Sequence, residues 1–169
     1  MSEQFEVFND QGALLGRKPR DEVHRLGFWH KSAQVFVFNS GGHLLLQRRS
    51  EHKDLYAGLW DYSVGEHLQP GESYLDGARR GLWEELRIAD VCLITLGDER
   101  RVAHEGPDYY DREMQQAFRC EYSGALVADS VEVAEVRYFP LPEIVSWVQR
   151  DAAVFTPWFV EDLVEFGWL

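Results

Sequence analysis

Gln69-Pro70-Gly71-Glu72 is turn chemistry, and the residues directly after it carry the clearest periodic signal in the chain. Leu75, Ala78, Leu82 and Leu86 recur at i, i+3, i+7 and i+11 and define one apolar stripe, the mark of a helix laid against a core. Ser73 with Asp76 three residues on resembles a capping box, with Asp in place of the preferred Glu, so the helix is expected from about Ser73 to Arg87. Glu84 and Glu85 fall on the flank beside the stripe, with Gly81 angularly between them. Both carboxylates then point into one neighbourhood at the C-terminal half, where the helix dipole disfavours anions. A hard divalent cation offsets that cost. The plainer reading is a solvated acidic face with an Arg80–Glu84 ion pair worth ~0.3–0.5 kcal/mol; Arg80 can also reach back to Glu72.

Around this helix the pattern is mostly strand-like. Strands are expected at 5–8, 33–38, 43–47, 59–65, 91–102, 114–122 and 131–139, with a hairpin loop at Asn39-Ser40-Gly41-Gly42. Two late helices are expected near 142–150 and 157–166, the second with Thr156 able to cap and Pro157 at the first helical position. Strands with one central and two late helices make an α+β protein. The 169 residues, without repeats or long linkers, are expected to form a single domain over 1–169.

The formal net charge of −12 repels phosphate backbones, so no nucleic-acid partner is expected. A small phosphorylated substrate remains compatible, because a divalent metal reverses the local sign. Cys92 and Cys120 lack CxxC spacing and are expected as buried apolar thiols. The first residues have no basic and apolar leader pattern, and no apolar run approaches the ~20 residues of a membrane span, so the expectation is a cytoplasmic protein without a membrane partner. The oligomeric state is not legible.

Residues 65–88 read GEHLQPGESYLDGARRGLWEELRI and resemble the Nudix box: Gly, five residues, Glu, seven residues, Arg-Glu, an aliphatic, any residue, Glu-Glu, any residue, Gly, an aliphatic. Glu72, Arg80, Leu82, Glu84, Glu85 and Ile88 occupy matching positions, with Gly71 in the preceding turn. Three positions depart: Glu66 stands for the first Gly, Gly81 for the Glu after Arg, and Arg87 for the last Gly. The resemblance implies the Nudix fold, a mixed β-sheet sandwiched between α-helices. It further implies that Glu84, Glu85 and Arg80 carry the chemistry, that Glu84, Glu85, the main-chain carbonyl of Glu66, and Glu113 hold metal, and that Glu72 and Gly71 shape the box. Mg²⁺ is the expected cofactor, with Mn²⁺ able to serve. Gly81 removes one acid from that set and costs ~1 kcal/mol against Ala inside a helix.

GRKPRDEVHRLGFWHKS at 16–32, LLLQRR at 44–49, GLWDYSVGEH at 58–67 and FTPW at 155–158 are similar to the branch that contains the type I isopentenyl-diphosphate isomerases. In that branch a metal is held by three His and two carboxylates, which the resemblance places at His24, His30, His67, Asp111 and Glu113. The isomerases also use a Cys for proton transfer at carbon, and the corresponding residue here is Gly65. The favoured expectation is therefore a hydrolase that cleaves the P–O–P linkage of a nucleoside di- or triphosphate, a small-molecule partner. An isomerase-like enzyme and a catalytically weak nucleotide-binding protein are the alternatives. Arg48, Arg49 and Lys53 can hold phosphate oxygens, and Glu84, Glu113 and Glu132 all remain candidates for the general base.

Overall fold

A computed structural model describes residues 3–53, 55–106 and 109–169. Its centre is a ten-residue strand, β3 (Trp29–Phe38), whose run of bulky and β-branched residues suits burial on both faces. Beside it runs β8 (Tyr109–Glu121), parallel along its full length, with His30 opposite Glu113 and Val35 opposite Phe118. β6 (Val64–His67) pairs antiparallel with β3, Ala33 facing Glu66. β1 (Gln4–Phe8) and β2 (Leu14–Pro19) form a hairpin, while β4 (Leu44–Arg49) carries β5 (Trp60–Asp61) and β9 (Val133–Phe139). β7 (Ile94–Gly106) pairs with β8.

Alternation along β3 separates two cores. Ala33, Val35 and Val37 join Leu45, Val64, Phe118 and Cys120 under α2 (Tyr74–Leu86), which contributes Ala78, Leu82 and Leu86. Phe36 points the other way, to Leu44, Leu46, Ala117 and Phe139. That face is covered by Ile144 and Val148 of α3 (Leu141–Arg150) and Phe159 and Leu163 of α4 (Pro157–Glu165). The mixed sheet is thus sandwiched between helices, as expected. Each large side chain buried in these layers contributes ~1.5–3 kcal/mol.

α2 begins where the capping pattern put it: Ser73 Oγ accepts from the Asp76 amide at 3.2 Å. At its end Arg87 takes the left-handed conformation (φ 56°) that favours glycine, and its guanidinium donates to the Trp83 carbonyl at 3.0 Å. The sequence reading misses α1 (Arg20–Leu26), whose seven residues bury Val23 against Phe5 and Val7 and stop at Gly27 in the left-handed region. The segment expected as one strand at 59–65 is two, β5 and β6, with Tyr62 and Ser63 between them. Cys120 is buried but Cys92 is exposed, against expectation. Among the described residues no helix is long and apolar enough to cross a membrane.

Candidate metal and phosphate site

Arg80 is the hub of the box. Its Nε and Nη2 donate to the two oxygens of Glu72, both at 2.9 Å, and Nη2 also donates to the His67 carbonyl at 2.8 Å. Nη1 meets Glu66 Oε1 at 3.0 Å and Glu84 Oε2 at 3.2 Å. Glu72 in turn accepts from the Gln69 amide at 2.8 Å, which ties the turn at Gly71 to the helix. The fork therefore fixes α2 against β6 with a geometry that Lys cannot reproduce.

The two helix acids divide between surface and interior. The Glu84 side chain is about half exposed (52%), whereas Glu85 is buried and accepts from Gln47 Nε2 at 3.2 Å. Burial lifts the Glu85 carboxyl well above the usual carboxylate range, and the charge of Glu66 adds to the effect. Burial also raises Glu66 to about 7, although Arg80 opposes it. Glu66 has no left-handed backbone, so a side chain at this box position is tolerated without strain. Glu66, Glu84 and Glu85 all line one cleft of about 830 Å³, a size that suits a nucleotide.

A second group sits at the same cleft, with its His24, His67 and Asp111 in the lining and His30 buried behind them. His24 from α1, His30 from β3, His67 from β6 and Asp111 from β8 bring one ligand atom each within 4.8 Å of one another. His24 Nε2 and His30 Nε2 lie 3.6 and 3.5 Å from Asp111 Oδ1, and His67 Nε2 lies 3.1 Å from Glu113 Oε1. The parallel register explains the convergence: Asp111 and Glu113, two apart on β8, share the face of β3 that carries His30. Glu113, which the box resemblance groups with Glu84 and Glu85, shares their cleft and sits against this imidazole nest, within 3.1 Å of His67 and 3.9 Å of His30. His30 Nδ1 faces the Phe28 carbonyl at 3.1 Å, which leaves Nε2 as the free lone pair toward the centre. Burial, then the neighbouring His67, lowers His30 to about 4, keeping it neutral as a metal ligand must be. His24 Nε2, His30 Nε2 and Asp111 Oδ1 are buried without hydrogen-bond partners. Orphaned atoms of this kind in an N/O donor set fit Mn²⁺ or Zn²⁺.

The expected phosphate contacts separate. Arg49 and Lys53 line the cleft, but Arg48 points away and meets Glu135 at 3.5 Å, because adjacent strand residues face opposite sides. Arg49 contacts Asp61 at 3.2 Å and lies over the Trp158 ring, and Lys53 pairs with Glu132. Arg20, not singled out by the sequence reading, also lines the cleft. Its position at the start of the unrecognised α1 concealed it.

Gly65 bears on the isomerase alternative. A Cβ there would stand 2.7 Å from Tyr62 Cε2 and 2.9 Å from the Tyr62 hydroxyl. The ring fills the space a side chain at 65 needs.

Residues 28–159 match the model of the NUDIX domain. Over 161 residues the chain is 30% identical to an isopentenyl-diphosphate Delta-isomerase from Burkholderia multivorans, covering 94% of this chain and 90% of that protein. It is 31% identical over 178 residues to Nudix hydrolase 3 from Arabidopsis thaliana, covering 98% of this chain but 22% of that longer protein. Among solved structures, DR0079 from Deinococcus radiodurans shares the fold, with a TM-score of 0.72 at 19% identity over 88% of this chain and 90% of that one.

Proposed function

The chain belongs to the Nudix family, and from that premise we propose that it is a Mg²⁺-dependent hydrolase of nucleoside di- or triphosphates, with Mn²⁺ able to serve. The observation that carries this reading is the Arg80 fork, which holds Glu66, Glu72 and Glu84 together beside the buried Glu85, with Glu66, Glu84 and Glu85 lining a nucleotide-sized cleft. Such a cleft repels a polyphosphate unless cations intervene. The carboxylates are hard donors suited to Mg²⁺, and the imidazole nest suits Mn²⁺. A bound divalent ion supplies charge neutralisation of the phosphate oxygens and acidifies water at phosphorus.

The protein's own groups do the rest. Lys53 and Arg49 face the incoming phosphates from β4 and the loop after it. Glu85, held by Gln47, would be a ligand of that ion, and Glu84, the more exposed acid of the pair, would accept a proton from the attacking water. Breaking the P–O–P bond then releases two phosphate-bearing products. Tyr62 packed over Gly65 favours this chemistry over isomerisation, since it leaves no room for a thiol beside the cleft.

The test is a panel of nucleoside diphosphates, triphosphates, dinucleotides and ADP-ribose, with isopentenyl diphosphate alongside, assayed with and without Mg²⁺ or Mn²⁺. Metal-dependent phosphate-bond cleavage that is lost in Glu85→Gln supports the proposal. Silence on every nucleotide, or conversion of isopentenyl diphosphate alone, overturns it.

A further inference from the structure

Two departures from the box look unrelated in the sequence: an acid gained at 66 on a strand, and an acid replaced by glycine at 81 on the helix. In the fold they are one contact. A Cβ built on Gly81 would lie 2.9 Å from Glu66 Cβ and 3.3 Å from Glu66 Cγ, so the stem of Glu66 already fills the space of a side chain at 81. Val64 Cγ1, on the same face of β6, would stand 2.8 Å away. The missing Cβ lets α2 settle onto β6 at this point.

From this geometry we infer that the Glu66 carboxylate, delivered from β6, takes the metal-binding place that α2 gives up at Gly81. The inference rests on the reading of α2 as a cation-binding helix and goes beyond it by adding a side-chain ligand from a different element. Glu66 and Glu84 share a single nitrogen of Arg80, at 3.0 and 3.2 Å, so their carboxylates converge on the same side of the helix. Glu66 also acts electrostatically on Glu85. Alternation on β6 sends Glu66 with Val64 to the α2 face and turns Gly65 and His67 to the other. The carboxylate set is therefore complete in number, with its third member moved across the helix–strand contact. Without a cation one nitrogen of Arg80 contacts two of the three, Glu66 and Glu84.

The experiment is calorimetric titration of the full chain with Mg²⁺, whose preference for all-oxygen sites keeps it off the imidazole nest. Circular dichroism checks each variant for folding. Glu66→Gln keeps the packed stem and removes the charge, and it should weaken Mg²⁺ binding at least ~10-fold, as should Glu85→Gln. The transposed triple variant, Glu66→Gly with Gly81→Glu and Val64→Ala to relieve the close contact, should recover most of the loss. Undiminished affinity in Glu66→Gln with a loss in Glu85→Gln overturns this inference and leaves the hydrolase reading standing. Undiminished affinity in both overturns the two together. A folded transposed variant that binds no better than Glu66→Gln also overturns the equivalence of the two positions; should it not fold, Glu66→Gln alone decides.

Discussion

Tyr62 lies so close over Gly65 that a Cβ at 65 would meet its ring at 2.7 Å. The glycine and the ring are a matched pair. Installing the thiol that the isomerases use, by Gly65→Cys, should produce no isomerisation of isopentenyl diphosphate and should cost ~1–3 kcal/mol through overpacking. Thermal unfolding and NMR of the incubated diphosphate read both outcomes. Pairing it with Tyr62→Ala should recover part of the stability, and a single variant as stable as the parent would contradict the close packing.

Glu85 sets function against stability. Its buried carboxyl is lifted by burial and by Glu66, so replacing it with a neutral isostere should leave the metal-free protein as stable or more so. Turnover should fall by ~100-fold or more. Urea denaturation with chelator present, beside steady-state assays, makes the comparison; a variant that loses stability and activity together refutes the trade-off.

Arg80 is expected to behave oppositely. Arg80→Ala strands Glu66 and Glu72, which are largely buried, and should cost about 3 kcal/mol. Arg80→Lys should rescue little, since one ammonium cannot reproduce the fork on Glu72. Equal stability of the Lys variant and the parent, read from denaturation midpoints, would count against the hub role.

The strand alternation at 48–49 separates two basic residues. Lys53→Ala should raise KM for the nucleotide several-fold with a smaller change in kcat, the mark of lost phosphate binding. Arg48→Ala, on the far side beside Glu135, should leave both unchanged. A shifted KM in Arg48→Ala would place the phosphate elsewhere.

His30 makes the metal-free protein sensitive to acid. Buried and neutral, it titrates at about 4 in the folded chain, mainly because of burial, against ~6.5 when unfolded. The unfolded chain takes the proton first as pH falls, so this stability is complete above pH 6.5 and is lost toward pH 4. The loss is about 3 kcal/mol. Chelator-treated protein should show urea midpoints that drop between pH 6.5 and 4; a flat profile excludes it.

How much of this was legible follows from how far apart the partners lie. The α2 stripe is local, so Leu75 through Leu86 reveal the helix and its buried face in one window. α1 has a single apolar anchor, Val23, among seven residues, and no period can be read from that. His24, His30, His67 and Asp111 come from four elements, and only the family resemblance groups them; spacing carries no trace of the nest. The Glu66–Gly81 contact is hidden for the same reason, because a substitution on a strand and one on a helix carry no sign that they touch. Arg48 and Arg49 look equivalent as a dipeptide until the pleat sends them apart.

The pairing of β3 with β8 has a consequence for how reliably such a chain matures. One register seats Val35 beside Phe118 in the core and His30 beside Glu113 in the nest. A slip of β8 by one residue would turn Phe118 and Cys120 out of the α2 layer and scatter the imidazoles and carboxylates in the same step. The apolar packing that selects this register therefore also selects the ligand set. A molecule released as folded has its donor atoms already in place.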